Sequence, residues 1–364
     1  MRSCIICNSK NKKLYFDSSV TVPVPYPLKG KQSIVQCEKC GFIYSDSDNT
    51  VNNYHQYYLE LNKHKKRAKD AEDLDRAYYE KIFKKFNNFK KDVSILDFGS
   101  GDLLMKSILN EKGFSNISTF DIDSEAEYQN KFDLIISTHT FEHILDADIV
   151  LTKLKKYLKI NGQLLIAVPD VSGYLEHYCG AYNWFDLEHI NHFSPESLSN
   201  FVKSKGFTVI DCSSDKREVR PNLFYPEVII TCSKNEVEKN KIQKICKKDN
   251  VNLILEKYIK KSYSDLSKAL VKYEGINKKR ILVWGLGISL MRLINHVEIT
   301  KNVDFVDSDS RLWGRRLKGK DILSSNELEN INKYDFILIT AVNYRAIEQY
   351  VRNRFGNDTK IIIL

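Results

Sequence analysis

Four cysteines near the start of the chain have the spacing of a metal site. They form two pairs, Cys4-x-x-Cys7 and Cys37-x-x-Cys40. Two such pairs can place four thiolates in a tetrahedron around zinc, with no coordination position left for a substrate. The spacing therefore predicts a structural zinc site that stabilises a small amino-terminal module. Free thiols or disulfides are the alternative, and a reducing cytosol disfavours the disulfides.

A second group of residues, further along the chain, has the spacing of a nucleoside-binding turn. An apolar strand runs into a Gly-x-Gly turn, and two acids follow at the end of the next strand. Glycines let the backbone approach a ligand closely, the following helix presents free N–H groups, and a carboxylate can bind ribose hydroxyls. The group comprises Asp97, Gly99, Ser100, Gly101, Asp121 and, as the substitute for Asp121, Asp123.

The segments after this turn resemble the class I S-adenosylmethionine-dependent methyltransferases. The resemblance rests on Phe-Asp-Leu-Ile at 132–135, Phe-Glu-His-Ile at 141–144 and Asn-Gly-Gln-Leu-Leu-Ile-Ala-Val-Pro at 161–169. It covers residues 91 to about 233. It implies that the glycines face the methionine part of the cofactor, that Asp121 binds the ribose, and that a turn after the fourth strand meets the adenosine. That turn runs from Ser137 to Thr140, and its cofactor-binding residues are Ser137, Thr138 and His139. A degenerate nucleotide fold that holds no ligand is the alternative.

Length and composition indicate several globular modules. The 364 residues carry a net charge of +9, and 42% of them are hydrophobic. No apolar run reaches membrane-spanning length, and the first residues lack a secretory signal, so we expect a cytoplasmic protein without a membrane partner. The charge is spread among many acids and suits small anionic substrates as well as nucleic acid. The oligomeric state stays open.

The patterns predict an α/β fold: a class I methyltransferase Rossmann-like core, an amino-terminal zinc module and a second Rossmann-like domain. The helical stretch before the core contains a basic run at 63–67, which is either a solvated helix face or a pyrophosphate-binding patch. The predicted ranges are 1–45 for the zinc module, 46–90 for a helical segment lining the active site, 91–233 for the core, 234–278 for a helical connector and 279–364 for the second Rossmann-like domain.

The second Rossmann-like domain repeats the strand, Gly-x-Gly and acid of the core. Its turn is Gly285-Leu286-Gly287, and Asp307 ends its next strand. Leu290 stands where a third glycine would let a helix approach a dinucleotide pyrophosphate. We therefore expect this domain to pack or to border the substrate cleft. A working dehydrogenase site that binds a nicotinamide cofactor is the alternative.

The order of the modules resembles the zinc-containing sugar C-methyltransferases that act on nucleotide-linked keto sugars. The closing unit of that family carries a Trp-Gly-x-Gly turn and a late Asn-Tyr pair, matched here by 284–287 and by Asn343 and Tyr344. That family also has an early tyrosine motif, which three tyrosines of this sequence match only in part. The resemblance implies that these tyrosines and the Asn-Tyr pair bind substrate; the tyrosines are Tyr54, Tyr57 and Tyr58. It implies a nucleotide sugar as substrate, in the biosynthesis of a modified surface or secondary-metabolite sugar.

A loop before the helix start at Ser194-Pro195 is the predicted catalytic segment. Methyl transfer needs alignment of a nucleophile with the sulfonium methyl and removal of its proton. A histidine suits proton removal, and an adjacent carboxylate can orient it. We predict His189 as general base and Glu188 as its partner, with His192 as the substitute; histidines that only cap or hydrogen-bond are the alternative.

The atom that receives the methyl group is open at this level. The family's Tyr-His before the Glu-His pair is Asp186-Leu187 here, so an O- or N-methyltransferase of a sugar is an alternative to carbon methylation. Zinc pairs ahead of a methyltransferase core also fit an RNA methyltransferase. Against RNA, no Asn-Pro-Pro-Tyr turn follows the fourth strand, and the aromatic residues are not interleaved with arginines.

Overall fold

A computed structural model describes residues 2–61, 69–86, 89–120, 131–235 and 250–364. The predicted ribose-binding acids Asp121 and Asp123 and the basic run 63–67 lie outside these residues. The side chains of 69–71 are also left undescribed. The described chain forms three sheets, one antiparallel and two largely parallel.

The amino-terminal module is built on an antiparallel sheet in the order β1-β2-β3-β8. Its strands are β1 (Lys12–Asp17), β2 (Gln32–Cys37), β3 (Ile43–Ser47) and β8 (Asn191–His192). The last of these comes from far along the chain: Ile43 pairs with His192 and Tyr44 with Asn191. The strand that follows the predicted catalytic loop is therefore an edge strand of the cysteine-containing module.

Two helices lead from this module to the core. They are α1 (Val51–Leu61) and α2 (Lys69–Phe83), and a 3-10 turn at Lys84–Phe86 follows. The buried face of α1 carries Tyr54, Tyr57, Tyr58 and Leu61, which recur at helical spacing. This face packs on the loop before β8 and on the second Rossmann-like unit.

The central sheet has the order β5-β4-β6-β7-β10-β9. Its first four strands run parallel, and β10 and β9 complete it antiparallel. Its elements are β4 (Ile95–Phe98), α3 (Leu104–Glu111), β5 (Ile117–Phe120), β6 (Phe132–Thr138), α4 (Ala147–Tyr157), β7 (Leu158–Pro169), α5 (Pro195–Ser204), β9 (Thr208–Arg220) and β10 (Leu223–Ser233). Strands β4 and β6 are buried along nearly their whole length because helices cover both faces of the sheet.

The predicted helix start after the catalytic loop is present. Ser194 caps α5 by accepting a hydrogen bond from the Ser197 N–H, and Pro195 occupies the first helical position. Proline is favoured there because its missing N–H has no intrahelical partner in any case. The cap ends the loop at 193 and so places His189 outside any helix.

The closing unit has a second parallel sheet. The long helix α6 (Val251–Ile276) precedes it. Its sheet has the order β13-β14-β12-β11-β15-β16, with only β13 antiparallel. Its elements are β11 (Ile281–Trp284), α7 (Ile288–Leu293), β12 (Val303–Asp307), β13 (Arg316–Leu317), β14 (Lys320–Ser324), β15 (Phe336–Ile339), α8 (Tyr344–Phe355) and β16 (Ile361–Ile363).

The predicted α/β class with two Rossmann-like units is confirmed. In both units the strands meet at a central point where the chain order reverses, between β4 and β6 and between β11 and β15. Ligands of open α/β sheets bind at the carboxyl ends of such strands. Among the described helices, none is long and apolar enough to cross a membrane.

Candidate active site

The Gly-x-Gly turn after β4 has the backbone that the sequence predicts. Gly99 and Gly101 have φ values of +84° and +50°. A Cβ on Gly99 would lie 2.0 Å from Oγ1 of Thr140, so only glycine fits between the turn and the end of β6. Beside it Ser137 is fully buried, and its hydroxyl has no hydrogen-bond partner among the described residues. This backbone cradle and spare hydroxyl fit the cofactor that the sequence predicts.

A buried polar cluster follows directly after β6. His139 adopts φ +51°, and its Nε2 lies 2.8 Å from a carboxylate oxygen of Glu227 on β10. Its Nδ1 lies 3.4 Å from Glu142. Both glutamates are almost completely buried. Burial and the Arg217 charge oppose protonation of His139, but the two carboxylates outweigh them and raise its pKa.

Helix α2 is attached to this cluster through a second set of contacts. Tyr78 donates a hydrogen bond to Glu227, and the Arg217 guanidinium lies 4.4 Å from the centre of the Tyr78 ring. Arg217 also forms an ion pair with Asp75. Removal of any one member would leave a buried charge without its partner, so the cluster fixes α2 against the end of β6.

Two histidines from separate segments meet at the same edge of the sheet. The rings of His143 and His189 have centroids 4.8 Å apart. The Nδ1 of His143 lies 3.1 Å from the backbone oxygen of Glu188, and with a proton on Nδ1 it donates to that oxygen and leaves Nε2 as an acceptor. The loop with the predicted base is thus joined to the 3-10 turn Phe141–His143.

Carboxylates surround this histidine pair. Oδ2 of Asp186 lies 3.8 Å from Nδ1 of His189, and Oδ1 of Asp186 accepts the N–H groups of Glu188 and His189. Burial opposes ionisation of Glu142, but the neighbouring imidazoles of His143 and His139 outweigh it and lower the pKa of Glu142 to about 2. Glu142 is therefore a carboxylate at neutral pH.

The predicted tyrosines lie on the α1 face that covers this cluster. Tyr57 donates a hydrogen bond to Glu188. The Tyr58 ring packs edge-on against His143 with centroids 5.9 Å apart, and its buried hydroxyl has no hydrogen-bond partner among the described residues. Tyr54 is buried on the same face. Burial raises the pKa of Tyr57 and of Tyr58, so both hydroxyls keep their protons.

A cleft of about 250 Å³ opens beside Glu188, between α1, the loop 183–188 and the second Rossmann-like unit. Tyr57 and Asp186 line one wall, and Gly287 and Val342 line the wall opposite. The predicted catalytic loop therefore faces the Gly-x-Gly turn of the closing unit across a space that a small molecule can enter.

The structure places His192 on strand β8, with both ring nitrogens next to hydroxyl groups. It is 1% exposed, with Nδ1 3.1 Å from the Tyr174 hydroxyl and Nε2 3.4 Å from the Ser45 hydroxyl. Burial lowers its pKa well below the usual range, which keeps the ring neutral. These contacts give His192 a role in joining β8 to β3.

The second Gly-x-Gly turn has the fold of a nucleotide turn but uses its acid internally. Asp307 accepts the N–H groups of Leu286 at 2.6 Å and of Asp309 at 2.8 Å. Asn343 precedes α8 and lines a separate groove beside this turn, and Tyr344 is the first residue of the helix. The predicted substrate pair thus lies on the closing unit, and its adjacent residue Val342 lines the main cleft.

The four predicted zinc ligands come together. The sulfurs of Cys4, Cys7, Cys37 and Cys40 all lie within 4.8 Å of one another, and the closest pairs are 3.5 Å and 3.4 Å apart. Ligands about 2.3 Å from a tetrahedral zinc are separated by roughly 3.8 Å, so the arrangement fits this metal. A hydrogen bond from Cys40 lowers the pKa of Cys4 to about 5, which favours the thiolate that binds metals.

Sequence reasoning missed several members of the cluster. Glu142 and His143 stood in the Phe-Glu-His-Ile run but received no role, although two titratable residues at the end of a central strand are a signal for one. No local pattern marked Glu227 or Asp186, because their partners lie on other elements.

Comparison with protein families gives two matches. Residues 67–211 match the family described as "Methyltransferase domain", and residues 277–363 match "C2185-like, N-terminal". The first match contains the Gly-x-Gly turn after β4, His139 and Glu142 of the buried cluster, and the histidine loop; Glu227 lies beyond it. The second contains the closing sheet. No curated protein sequence matches the chain significantly.

Similar solved structures come from several bacteria. One is 1,6-didemethyltoxoflavin-N1-methyltransferase of Burkholderia thailandensis, solved with 1,6-didemethyltoxoflavin and S-adenosylhomocysteine: 14% identity, 55% of this chain, 99% of that chain and a TM-score of 0.36. An S-adenosylmethionine-dependent methyltransferase of Clostridium acetobutylicum is also similar, with 15% identity, 51% of this chain and 99% of that chain covered, and a TM-score of 0.31. One of Mesorhizobium loti has 13% identity, 44% of this chain and 99% of that chain covered, and a TM-score of 0.32.

Proposed function

We propose that this S-adenosylmethionine-dependent methyltransferase acts on a nucleotide-linked keto sugar, with His189 as general base. The observation that carries the proposal is the His143–His189 pair at the edge of the sheet, beside a cleft that the second Rossmann-like unit closes. The bound cofactor supplies an electrophilic methyl group on its sulfonium. The protein's own residues must then hold the cofactor, orient the sugar and remove a proton.

The turn after β4 and the end of β6 are the proposed cofactor site. Gly99 and Gly101 allow close approach of the backbone, and the spare hydroxyl of Ser137 can bond to the ligand. Thr138 and His139 continue the same edge. In this proposal Asp97 supports the turn from within β4, and Asp121 or Asp123 binds the ribose.

Proton removal is assigned to His189. Its neighbour in the chain, Glu188, lines the cleft that a substrate can enter, so the loop brings the base to the edge of that cleft. The Asp186 carboxylate lies 3.8 Å from Nδ1 of His189, where it can orient the ring. Glu188, bonded to Tyr57, holds the loop against α1. We therefore keep Glu188 as a partner of the base and add Asp186.

The chemistry proposed for a keto sugar has two parts. His189 takes the proton from the carbon next to the ketone, and the electrons of that C–H bond form an enolate. The protonated hydroxyl of Tyr58, buried and without a partner among the described residues, can donate a hydrogen bond to the enolate oxygen. The bound cofactor would supply the methyl group to the enolate carbon and keep the electron pair of its methyl–sulfur bond, and the ketone would re-form.

The second Rossmann-like unit is proposed as the part that meets the nucleotide. Gly287 borders the main cleft, and a Cβ on it would meet no atom within 4 Å, so ligand can lie close to the backbone there. Asn343 and Tyr344 lie at the start of α8, at the same end of this sheet. In this proposal the nucleotide lies against the second Rossmann-like unit and the reacting sugar lies towards Glu188.

The test is label transfer from a cofactor with a deuterated methyl group. The full chain is incubated with this cofactor and an extract that contains nucleotide sugars and RNA, and the label is followed by mass spectrometry. We expect label in a nucleotide sugar, with fragmentation that places it on carbon. Label on oxygen or nitrogen would replace the enolate step, and label in RNA would contradict the substrate class.

We also propose that the four clustered cysteines bind one structural zinc ion. Four ligands complete a tetrahedral site, so the metal holds β1–β3 together and takes no part in methyl transfer. Metal analysis of purified protein should give one zinc per chain, and Cys37→Ser should lose it. Cys179→Ser, a cysteine outside the cluster, is the matched control and should keep the metal. A metal-free wild type would contradict the proposal.

A further inference from the structure

The guanidinium of Arg2 joins the two segments that carry the paired histidines. Its Nη1 donates to the backbone oxygen of Leu145 at 3.2 Å, just after the turn with His143. Its Nη2 donates to the backbone oxygen of Ile190 at 2.6 Å and to Oδ1 of Asn191 at 2.8 Å, just after His189. One side chain thus contacts both segments at their backbones.

Asn191 completes the connection from the other side. Its amide nitrogen donates to the backbone oxygens of Phe141 and Ile144, at 2.8 Å and 2.7 Å, while its oxygen accepts from Arg2. The side chain is 2% exposed, so these bonds are shielded from water. The Ile190 N–H also donates to the Glu142 backbone oxygen at 2.8 Å. The turn and the loop are therefore bonded to each other and to Arg2.

Arg2 itself is fixed by the cysteine-containing module. It stands two positions before Cys4, its backbone N–H donates to Asp46 at 3.0 Å, and its guanidinium lies 5.0 Å from the centre of the Tyr44 ring. Tyr44 lies on β3, which pairs with β8 through Asn191. The position of the guanidinium thus follows the position of the four-cysteine cluster.

We infer that Arg2 is a positioning residue. It belongs to the zinc module and sets the distance between His143 and His189. The module then has a role in the reaction through the backbones of the two histidine segments. Without the guanidinium, the Leu145, Ile190 and Asn191 oxygens lose their shared donor, and the two histidine segments can move apart. This inference rests on the proposed function in one respect, namely that the two histidines belong to the active site.

The experiment compares Arg2→Ala with Arg2→Lys and with Lys39→Ala in the full-length, zinc-loaded protein. Lys39 is an exposed cation between Cys37 and Cys40, so its removal changes the charge of the module without touching the histidine segments. Four quantities are measured: zinc content, cofactor affinity, kcat, and the ring carbon–proton NMR signals of His143 and His189, assigned from His→Gln variants.

We expect Arg2→Ala to keep one zinc and wild-type cofactor affinity, to lower kcat about 10²-fold, and to shift both histidine signals. Arg2→Lys, which keeps the charge but cannot bridge three oxygens in the same way, should recover part of kcat. Lys39→Ala should match the wild type. Unchanged histidine signals and kcat in zinc-loaded Arg2→Ala would overturn the inference.

Two safeguards keep the result decisive. If Arg2→Ala does not fold, Arg2→Lys alone decides, and wild-type histidine signals and kcat in that variant would overturn the inference. Failure of the proposed substrate is distinguishable, because the wild type would then not turn over nucleotide sugars while the histidine signals would still respond to Arg2. Loss of cofactor affinity with unchanged histidine signals would assign Arg2 to general stability and contradict the inference.

Discussion

The two Gly-x-Gly turns of this chain share a left-handed first glycine but differ at the second, which has φ +50° at Gly101 and −74° at Gly287, and they differ in the residues behind them. Gly99 and Gly285 have φ values of +84° and +97°, and each packs against a residue that follows a parallel strand, Thr140 or Ala341. Behind the first turn lie buried titratable residues, among them Glu142 in the 3-10 turn after β6 and Glu227 on β10. The residues after β15 include Ala341 and Val342, which cannot exchange protons. The two turns share a nucleotide-type fold, and the residues after β6 and after β15 differ in whether they can exchange protons.

The acid at the end of the second strand of the closing unit adds to this difference. In the closing unit Asp307 accepts hydrogen bonds from two backbone N–H groups of its own loops, so it stabilises the turn. A carboxylate used in this way stabilises the unit in the absence of a ligand. We therefore expect the first unit to bind the cofactor and the second to contribute a wall of the substrate cleft.

The largest expected effect comes from His189→Gln. If the ring is the general base of the first unit, kcat should fall about 10²- to 10⁴-fold while cofactor affinity stays the same. His296→Gln, an exposed histidine of the closing unit, is the matched control and should leave kcat unchanged. Steady-state kinetics and calorimetric binding measure the two quantities. If His189→Gln kept its turnover, His189 would not be the base, and proton removal by this residue would no longer distinguish the first unit from the second.

The next effect compares alanine substitutions at Gly99 and at Gly287. A Cβ added to Gly99 would meet Thr140 Oγ1 at 2.0 Å in a left-handed backbone, whereas Gly287 has φ −74° and no atom within 4 Å of its added Cβ. Gly99→Ala should lower the free energy of unfolding by about 1–3 kcal/mol and abolish cofactor binding. Gly287→Ala should keep the wild-type unfolding free energy and cofactor binding. Thermal unfolding and calorimetry are the measurements, and equal behaviour would contradict the comparison.

A third prediction concerns acid stability. Glu142 has a folded pKa of about 2, below the ordinary value of 4.5, so its contribution to stability is present above pH 4.5 and is lost as the pH falls towards 2. By the pKa difference this loss is up to about 3 kcal/mol. Glu142→Gln should lose less stability than the wild type between pH 5 and pH 2 in denaturant titrations. If the unfolding free energies of the two proteins fell in parallel between pH 5 and pH 2, the Glu142 carboxylate would contribute nothing to stability in that range.

The smallest effect is expected for Asp307→Asn. Asparagine retains one carbonyl oxygen as an acceptor, so only one of the two bonds to backbone N–H groups is lost, and the unfolding free energy should fall by about 1 kcal/mol. Cofactor affinity should not change. A stoichiometry of one cofactor per chain, in this variant and in the wild type, would support the division of roles. Two bound cofactors would contradict it.

Much of the fold could be predicted because its signals are local. The strand and Gly-x-Gly patterns predicted two Rossmann-like units, and the sheet orders confirm them. The cap at Ser194 was predicted for the same reason, since its partner is three positions away. The predicted ribose-binding acids lie outside the described residues, and the roles of His189, Glu188 and the cofactor turn stay predictions.

The sequence by itself determined the elements and the types of site: glycines where the backbone needs positive φ, and cysteine pairs at metal spacing. Only the tertiary structure decided which side chains work together. Forty-five positions separate His143 from Glu188, and 189 separate Arg2 from Asn191. Such contacts depend on how β3, β8 and the turn after β6 pack. Spacing along the chain encodes backbone geometry within an element, whereas partners on different elements meet only after the core has formed.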